Sequence, residues 1–332
     1  MDTNRGNYLI GEETLTENEV YYLSLREELL RAAAGRKRSK SRARINDLKV
    51  ELGWASFDCR RYPEALALFS SLRGKDFAEA KYTGVASTLI EMESYAEANR
   101  VLERGLKEFP GSYALWNTMG TLVGHLGSHF EALRCFEKAI PLATGGDDAA
   151  LYNKSLALIE LACYEEAVPI LGGLIEKRPE EPKYLLDRGV CSIFRGYPLE
   201  ALQDYQEAMR LWKQCPDTFT GVRVYSGLTS AFAELGMKRE ALEVATEGLK
   251  SFPDEDPVLY HNMGAVYWGL GWREQCKEVL EKGVRKFPED EELRDFLRDL
   301  KDDMDDPDDG EKPPLLGVLL LMALLHRRGR RK

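Results

Sequence analysis

The chain has 332 residues, 44% of them apolar, and a net charge of −10. Length alone allows about two domains, and the apolar share is that of an ordinary folded protein. Six basic residues crowd Arg36 to Arg44 and five more follow His326, so the body between them is more acidic than the total. That balance argues against nucleic acid as the main ligand.

The first predicted element is a helix over Thr16 to Ala34, with Thr16 as N-cap and Glu17 and Glu19 in the first turn, where carboxylates suit the helix dipole. Val20, Leu23, Leu25, Leu29 and Leu30 give it a mainly apolar face. Residues 1–19 hold no apolar run after a basic segment, so no signal peptide is expected and the protein is read as cytoplasmic. The basic run Arg36 to Arg44 has two readings. One is a contact for nucleic acid or anionic lipid. The preferred one is a solvated surface at a helix end, where cations are favoured. Residues 1–45 are thus a capping helix with a basic segment.

From Asn46 to Asp290 one set of landmarks recurs at fixed offsets. The clearest copy is Tyr113 to Gly146, with Trp116, Met119, Gly120, Gly127, Ala132, Phe136 and Ala139. Before it stand Leu52, Gly53, Tyr62, Ala65 and Phe69, shortened at Arg73-Gly74-Lys75, and then Tyr82, Ala86, Tyr95, Ala98, Leu102, Gly105 and Pro110. After it come Ser155, Tyr164, Ala167 and Pro179; Gly189, Gly196, Ala201 and Tyr205; Tyr225, Gly236, Ala241 and Pro253; and Tyr260, Gly264, Gly271, Gly283 and Pro288. Where a proline is present it follows a helix and stops it. An extra stretch at Gln214 to Thr220 predicts a longer loop.

These offsets resemble the tetratricopeptide repeat (TPR). The resemblance covers about three quarters of the chain and implies an all-α fold: a right-handed superhelical solenoid of about seven helix-turn-helix repeats with helical caps. In that fold each unit pairs a helix A with a helix B. Gly120 and Ala132 are then small because the two helices approach closely, Trp116 and Phe136 fill the space between units, and Gly127 ends helix A in a left-handed conformation.

The resemblance also implies a peptide-binding groove lined by helix A. Carried onto this chain, its positions are Asn117, Thr121 and His125; Tyr152, Leu156 and Ile159; Lys183, Leu186, Val190, Ile193 and Phe194; Arg223, Ser226 and Ser230; and His261, Ala265 and Trp268. An apolar middle with cations and rings towards the C-terminal side suits a protein or peptide partner with apolar anchors. The Lys and Asn of the family's carboxylate clamp are not found in register.

Glu291 to Asp303 predicts a C-terminal capping helix, residues 304–314 an acidic linker, and residues 315–332 an apolar and basic tail. The run Leu315 to Leu325 spans about 17 Å as a helix, too short for a bilayer crossing that needs about 20 residues. It is too apolar to stay in water, so docking in cis, a partner, or the surface of an anionic membrane is expected to cover it.

Chemistry is sparse. His125, His129, His261 and His326 make no metal-binding pair, and Cys59, Cys135, Cys163, Cys191, Cys215 and Cys276 form no CxxC. Buried thiols in a reducing compartment are expected, with Cys276 replacing the small alanine of a helix B. No strand-turn-helix motif of an enzyme is evident. The expectation is a non-catalytic protein–protein interaction scaffold or adaptor without cofactor or metal, with a peripheral membrane adaptor held by the tail as the alternative.

Overall fold

The structure is a computed structural model that describes residues 8–10, 13–34, 39–146 and 148–305. The linker beyond residue 305 and the apolar tail lie outside the described residues, as does part of the basic run. Among the described residues sixteen α-helices follow a small hairpin in which β1 (Tyr8–Ile10) pairs antiparallel with β2 (Glu13–Leu15). No strand was expected, and the hairpin corrects that. Three residues are too few for an alternating pattern to show. The chain divides into two compact units, Met1–Asn153 and Lys154–Lys332.

The first unit holds α1 (Glu17–Ala34), α2 (Ser39–Asp58), α3 (Tyr62–Ser70), α4 (Ala78–Glu91), α5 (Tyr95–Glu108), α6 (Tyr113–His125), α7 (His129–Ala139) and the start of α8 (Asp148–Glu160). Thr16 and Glu19 close a reciprocal capping box on α1: the Glu19 N–H donates to Thr16 Oγ1 at 3.3 Å, and the Thr16 N–H to Glu19 Oε2 at 2.8 Å. Those bonds from Thr16, backbone first, hold the Glu19 carboxyl below its usual range. Tyr22 and Leu25 are the residues α1 buries, whereas Leu30 is exposed. The Tyr22 hydroxyl donates to the Glu64 carboxylate and the Arg61 guanidinium lies over its ring, so α1 caps α3 through a tyrosine the apolar pattern passed over. Helix α2 begins at Ser39, not near Asn46. The basic residues from Lys40 onward therefore occupy its first turns, where the dipole does not favour them, and Arg44 is held by Glu28 at 2.6 Å.

The second unit holds the rest of α8, then α9 (Tyr164–Lys177), α10 (Pro182–Phe194), α11 (Pro198–Trp212), α12 (Thr218–Glu234), α13 (Lys238–Ser251), α14 (Val258–Gly269), α15 (Arg273–Lys286) and α16 (Glu291–Asp305). The even-numbered helices from α2 to α14 are helix A of a repeat and the odd-numbered ones from α3 to α15 are helix B. Seven pairs result, as the spacing predicts. The extra stretch before α12 is part loop, in a five-residue link at 213–217, and part helix. Helix α12 has 17 residues against 13 in α10, because it starts a turn earlier. Asp217 caps it by accepting from the Thr220 N–H at 2.8 Å, and the Trp212 indole donates to the Asp217 carbonyl.

Every helix A ends in the same way. The left-handed residue is Arg60, Glu93, Gly127, Ala162, Gly196, Gly236 or Gly271, with φ between 56° and 79°. In each case its N–H and the next one bond back into the helix, as in Gly127 to Gly124 and Ser128 to Val123, both 2.9 Å. This is the Schellman arrangement, and it satisfies carbonyls that the helix end leaves open.

Close packing explains the small residues. A Cβ on Gly120 would lie 2.4 Å from the Phe136 ring. In the second unit the Tyr205 ring is wedged between Gly189 on α10 and Gly227 on α12, where added Cβ atoms would sit 2.6 and 2.5 Å away. Trp116 does not fill an interior space: it is half-buried, its indole donates to the Pro110 carbonyl, and Lys138 lies over its ring. Instead, a tyrosine of helix A meets the phenylalanine that closes helix B: Tyr82 with Phe109, Tyr225 with Phe252 and Tyr260 with Phe287, at centroid distances of 6.4, 6.1 and 6.0 Å. A proline follows each of these phenylalanines.

Candidate functional site

In the first unit the predicted groove positions stand on one face of α6 and α8. The Asn153 amide donates to Asn117 Oδ1 at 3.1 Å, which ties the two helices A together. Thr121 donates to the Asn117 carbonyl within its own helix. His125 is exposed and stacks on Tyr95 at 6.2 Å. Tyr152 is half-buried. These four keep surface towards solvent.

In the second unit the positions part into two groups. Leu156, Lys183, Phe194 and Trp268 are half-buried. Lys183 lies over the Tyr184 ring and pairs with Glu181 at 3.3 Å. Phe194 stacks on Tyr164 with centroids 4.9 Å apart and planes within 3°. Arg223 reaches Asp187, whose side chain is fully buried, at 2.5 Å. By contrast Leu186, Val190, Ser226, Ser230 and His261 are buried, as are Ile159, Ile193 and Ala265. Packing claims them. Leu186 and Val190 belong to the core around Tyr205, and Ser226 accepts from the Asn262 amide at 2.7 Å. His261 lies against Phe296 of α16 at 5.0 Å, and the same phenylalanine stacks on Trp268 at 5.1 Å. The capping helix occupies the place a further helix A would take, so it covers part of the last helix-A face.

A second surface escaped the reading of the sequence. Of ten exposed large apolar side chains among the described residues, seven sit beside the turns between helix A and helix B: Met92, Leu126, Phe130, Tyr197, Leu199, Met237 and Trp272. The signal was present as a bulky residue next to the turn glycine, in Leu126-Gly127, Gly196-Tyr197, Gly236-Met237 and Gly271-Trp272.

Among the described residues no group of three His, Cys, Asp or Glu side chains is placed to hold a metal. The buried thiols are inert by environment: desolvation pushes Cys191 and Cys276 up to about 12, and Cys276 Sγ donates to the Gly264 carbonyl.

Residues 258–286, the α14–α15 pair, match the family model described as tetratricopeptide repeat. The same turn, spacing and small-residue contacts run through the other six pairs. The chain has the fold of a tetratricopeptide-repeat solenoid. Its fold is similar to a chain of the APC/C hetero-tetramer Cut9-Hcn1, at a TM-score of 0.60 and 15% identity, over 83% of this chain and 59% of that one. It is also similar to a tetratricopeptide repeat protein from Parabacteroides merdae ATCC 43184, at a TM-score of 0.55 and 20% identity, over 74% of this chain and 99% of that one. No curated protein sequence matches this chain.

Proposed function

We propose that the protein is a non-catalytic scaffold that binds a protein segment along the accessible helix-A positions. The observation that carries this reading is a stacked, half-open ring pair in each unit, His125 on Tyr95 in the first and Phe194 on Tyr164 in the second, with Lys183 on the same helix as Phe194. Rings already stacked lose little freedom when a ligand side chain packs on them, and a cation at the other end of the same helix favours an acidic flank further along the ligand. The fold is one that also occurs in a hetero-tetramer. Asn117, Thr121, His125 and Tyr152 serve the first unit; Leu156, Lys183, Phe194 and Arg223 serve the second, where Phe296 of α16 already stacks on Trp268.

A displayed peptide library selected on the full chain tests this. Selected peptides are expected to carry apolar anchors with acidic neighbours, and Phe194→Ala or His125→Ala is expected to weaken them about tenfold, as loss of one packed anchor does. Binding unchanged in both variants, with far-UV circular dichroism intact, would refute the assignment. Leu186→Asp is unsuitable as a probe, because Leu186 is core. The alternative, a peripheral membrane adaptor, rests on residues 315–332. No helix among the described residues is long and apolar enough to cross a membrane.

A further inference from the structure

Within the second unit the A-to-B turns stand in a row, and three bonds tie neighbouring members of it. Glu165, beside the α8–α9 turn, pairs with Arg195 of the next turn at 2.8 Å. Lys238 of the α12–α13 turn donates to the Gly269 carbonyl at the end of α14, 2.6 Å away. Arg273, in the first turn of α15, pairs with Asp303 near the end of α16 at 2.7 Å. The row carries Tyr197 and Leu199, Met237 and Trp272, which are 47%, 63%, 37% and 45% exposed. One large apolar residue or more therefore stands open at each of three successive turns.

The Arg273–Asp303 pair also fixes where the chain leaves the described residues: at the Trp272 end of this row. The next chain to follow is the linker and then Leu315 to Leu325, eleven apolar residues without a charge. We propose that this run, in the same chain, lies along the turn row from Trp272 towards Tyr197. The lengths agree. As a helix the run spans about 17 Å, and neighbouring helices A that pack at about 10 Å put Trp272 and Tyr197 about 20 Å apart. Nine linker residues reach at most about 30 Å, enough to turn the chain back over the last repeat. The charges agree as well. The run ends in His326 and five basic residues. Laid in this direction, they meet the end of the row that holds Glu165 and Glu200, both exposed, together with Glu166. Burial of the run against Trp272, Met237 and Tyr197 removes two apolar surfaces from water at once.

Hydroxyl-radical footprinting of the full chain reads this directly, because tryptophan, methionine and tyrosine side chains oxidise in proportion to their access. The comparison is with the full-length double variant Leu320→Asp, Leu321→Asp, which leaves the repeats untouched. Trp272, Met237 and Tyr197 are expected to oxidise about fivefold faster in the variant, the ratio for a tail seated four-fifths of the time. Met92 and Phe130 in the first unit are expected to be unchanged. A second full-length variant, Met237→Asp with Tyr197→Asp, is expected to release Trp272 to the same extent. Equal rates in the wild type and the tail variant overturn the proposal. So does protection that rises with protein concentration, which would mean a second copy's tail. Protection seen only after phosphatidylserine vesicles are added overturns it too, by assigning the run to a membrane surface.

Discussion

Arg223 shows how a single residue can serve packing and a surface together. Its partner Asp187 has no exposed side-chain area, while the arginine keeps a small open fraction. Removing one member of a buried pair strands the other, at a cost of about 3 kcal/mol or more. Arg223→Ala is therefore expected to lower the urea-unfolding free energy by about 3 kcal/mol, whereas Arg210→Ala, which breaks the exposed pair with Glu207, is expected to cost under about 1 kcal/mol. The cysteines separate in the same way. A thiol pushed up to about 12 by burial stays protonated at neutral pH, and the thiolate is the reactive form. Iodoacetamide at neutral pH is expected to modify the exposed Cys215 in the native protein, and Cys191 and Cys276 only after denaturation, as mass spectrometry of the peptides would read.

The recurring element is the three-residue turn with a left-handed centre. Glycine fills that centre in four repeats, while Arg60, Glu93 and Ala162 hold it in the other three. A side chain in this conformation costs about 1 kcal/mol. Arg60→Gly, Glu93→Gly and Ala162→Gly are each expected to raise stability by about 0.5–1 kcal/mol in denaturant melts, and Gly127→Ala to lower it by a similar amount. Gly189→Ala is expected to be worse, about 1–3 kcal/mol, because the Tyr205 ring has nowhere to move between α10 and α12. The repeat was legible in the sequence because glycine, alanine and aromatic residues occupy contacts that tolerate little else. The site was less so. Nominal groove positions carry no mark that tells Phe194, which stacks at the surface, from Leu186, which the neighbouring repeat buries. That difference depends on how the next helix packs, a long-range fact. Trp268 stands on helix α14, where Phe296 of α16 stacks on it, and no local pattern announces that contact.

At the scale of the whole chain, repeats draw their stability from their neighbours, so an end repeat depends on its cap. The α16 side chains Leu293 and Leu300 are fully buried, and Phe296 nearly so. Phe296→Ala is expected to cost about 3 kcal/mol. It is also expected to open α14 to hydrogen exchange while α4 to α7 stay protected; uniform loss of protection would contradict this nearest-neighbour picture. At the other end, the start of α1 expected at Thr16 is met by the reciprocal bonds between Thr16 and Glu19. The position of the basic run was misjudged, since α2 starts earlier than the first repeat landmark.

The uniform turns carry a further implication, for where the chain tolerates change in length. Every link from helix A to helix B has three residues, as in 126–128, and its hydrogen bonds leave no place for a fourth. Links from helix B to the next helix A range from four residues at 178–181, through six at 252–257, to eight at 140–147. An epitope or fluorescent probe spliced into 252–257 should therefore leave the repeats in phase. The same insert at 235–237 would rotate everything after it out of register with what came before.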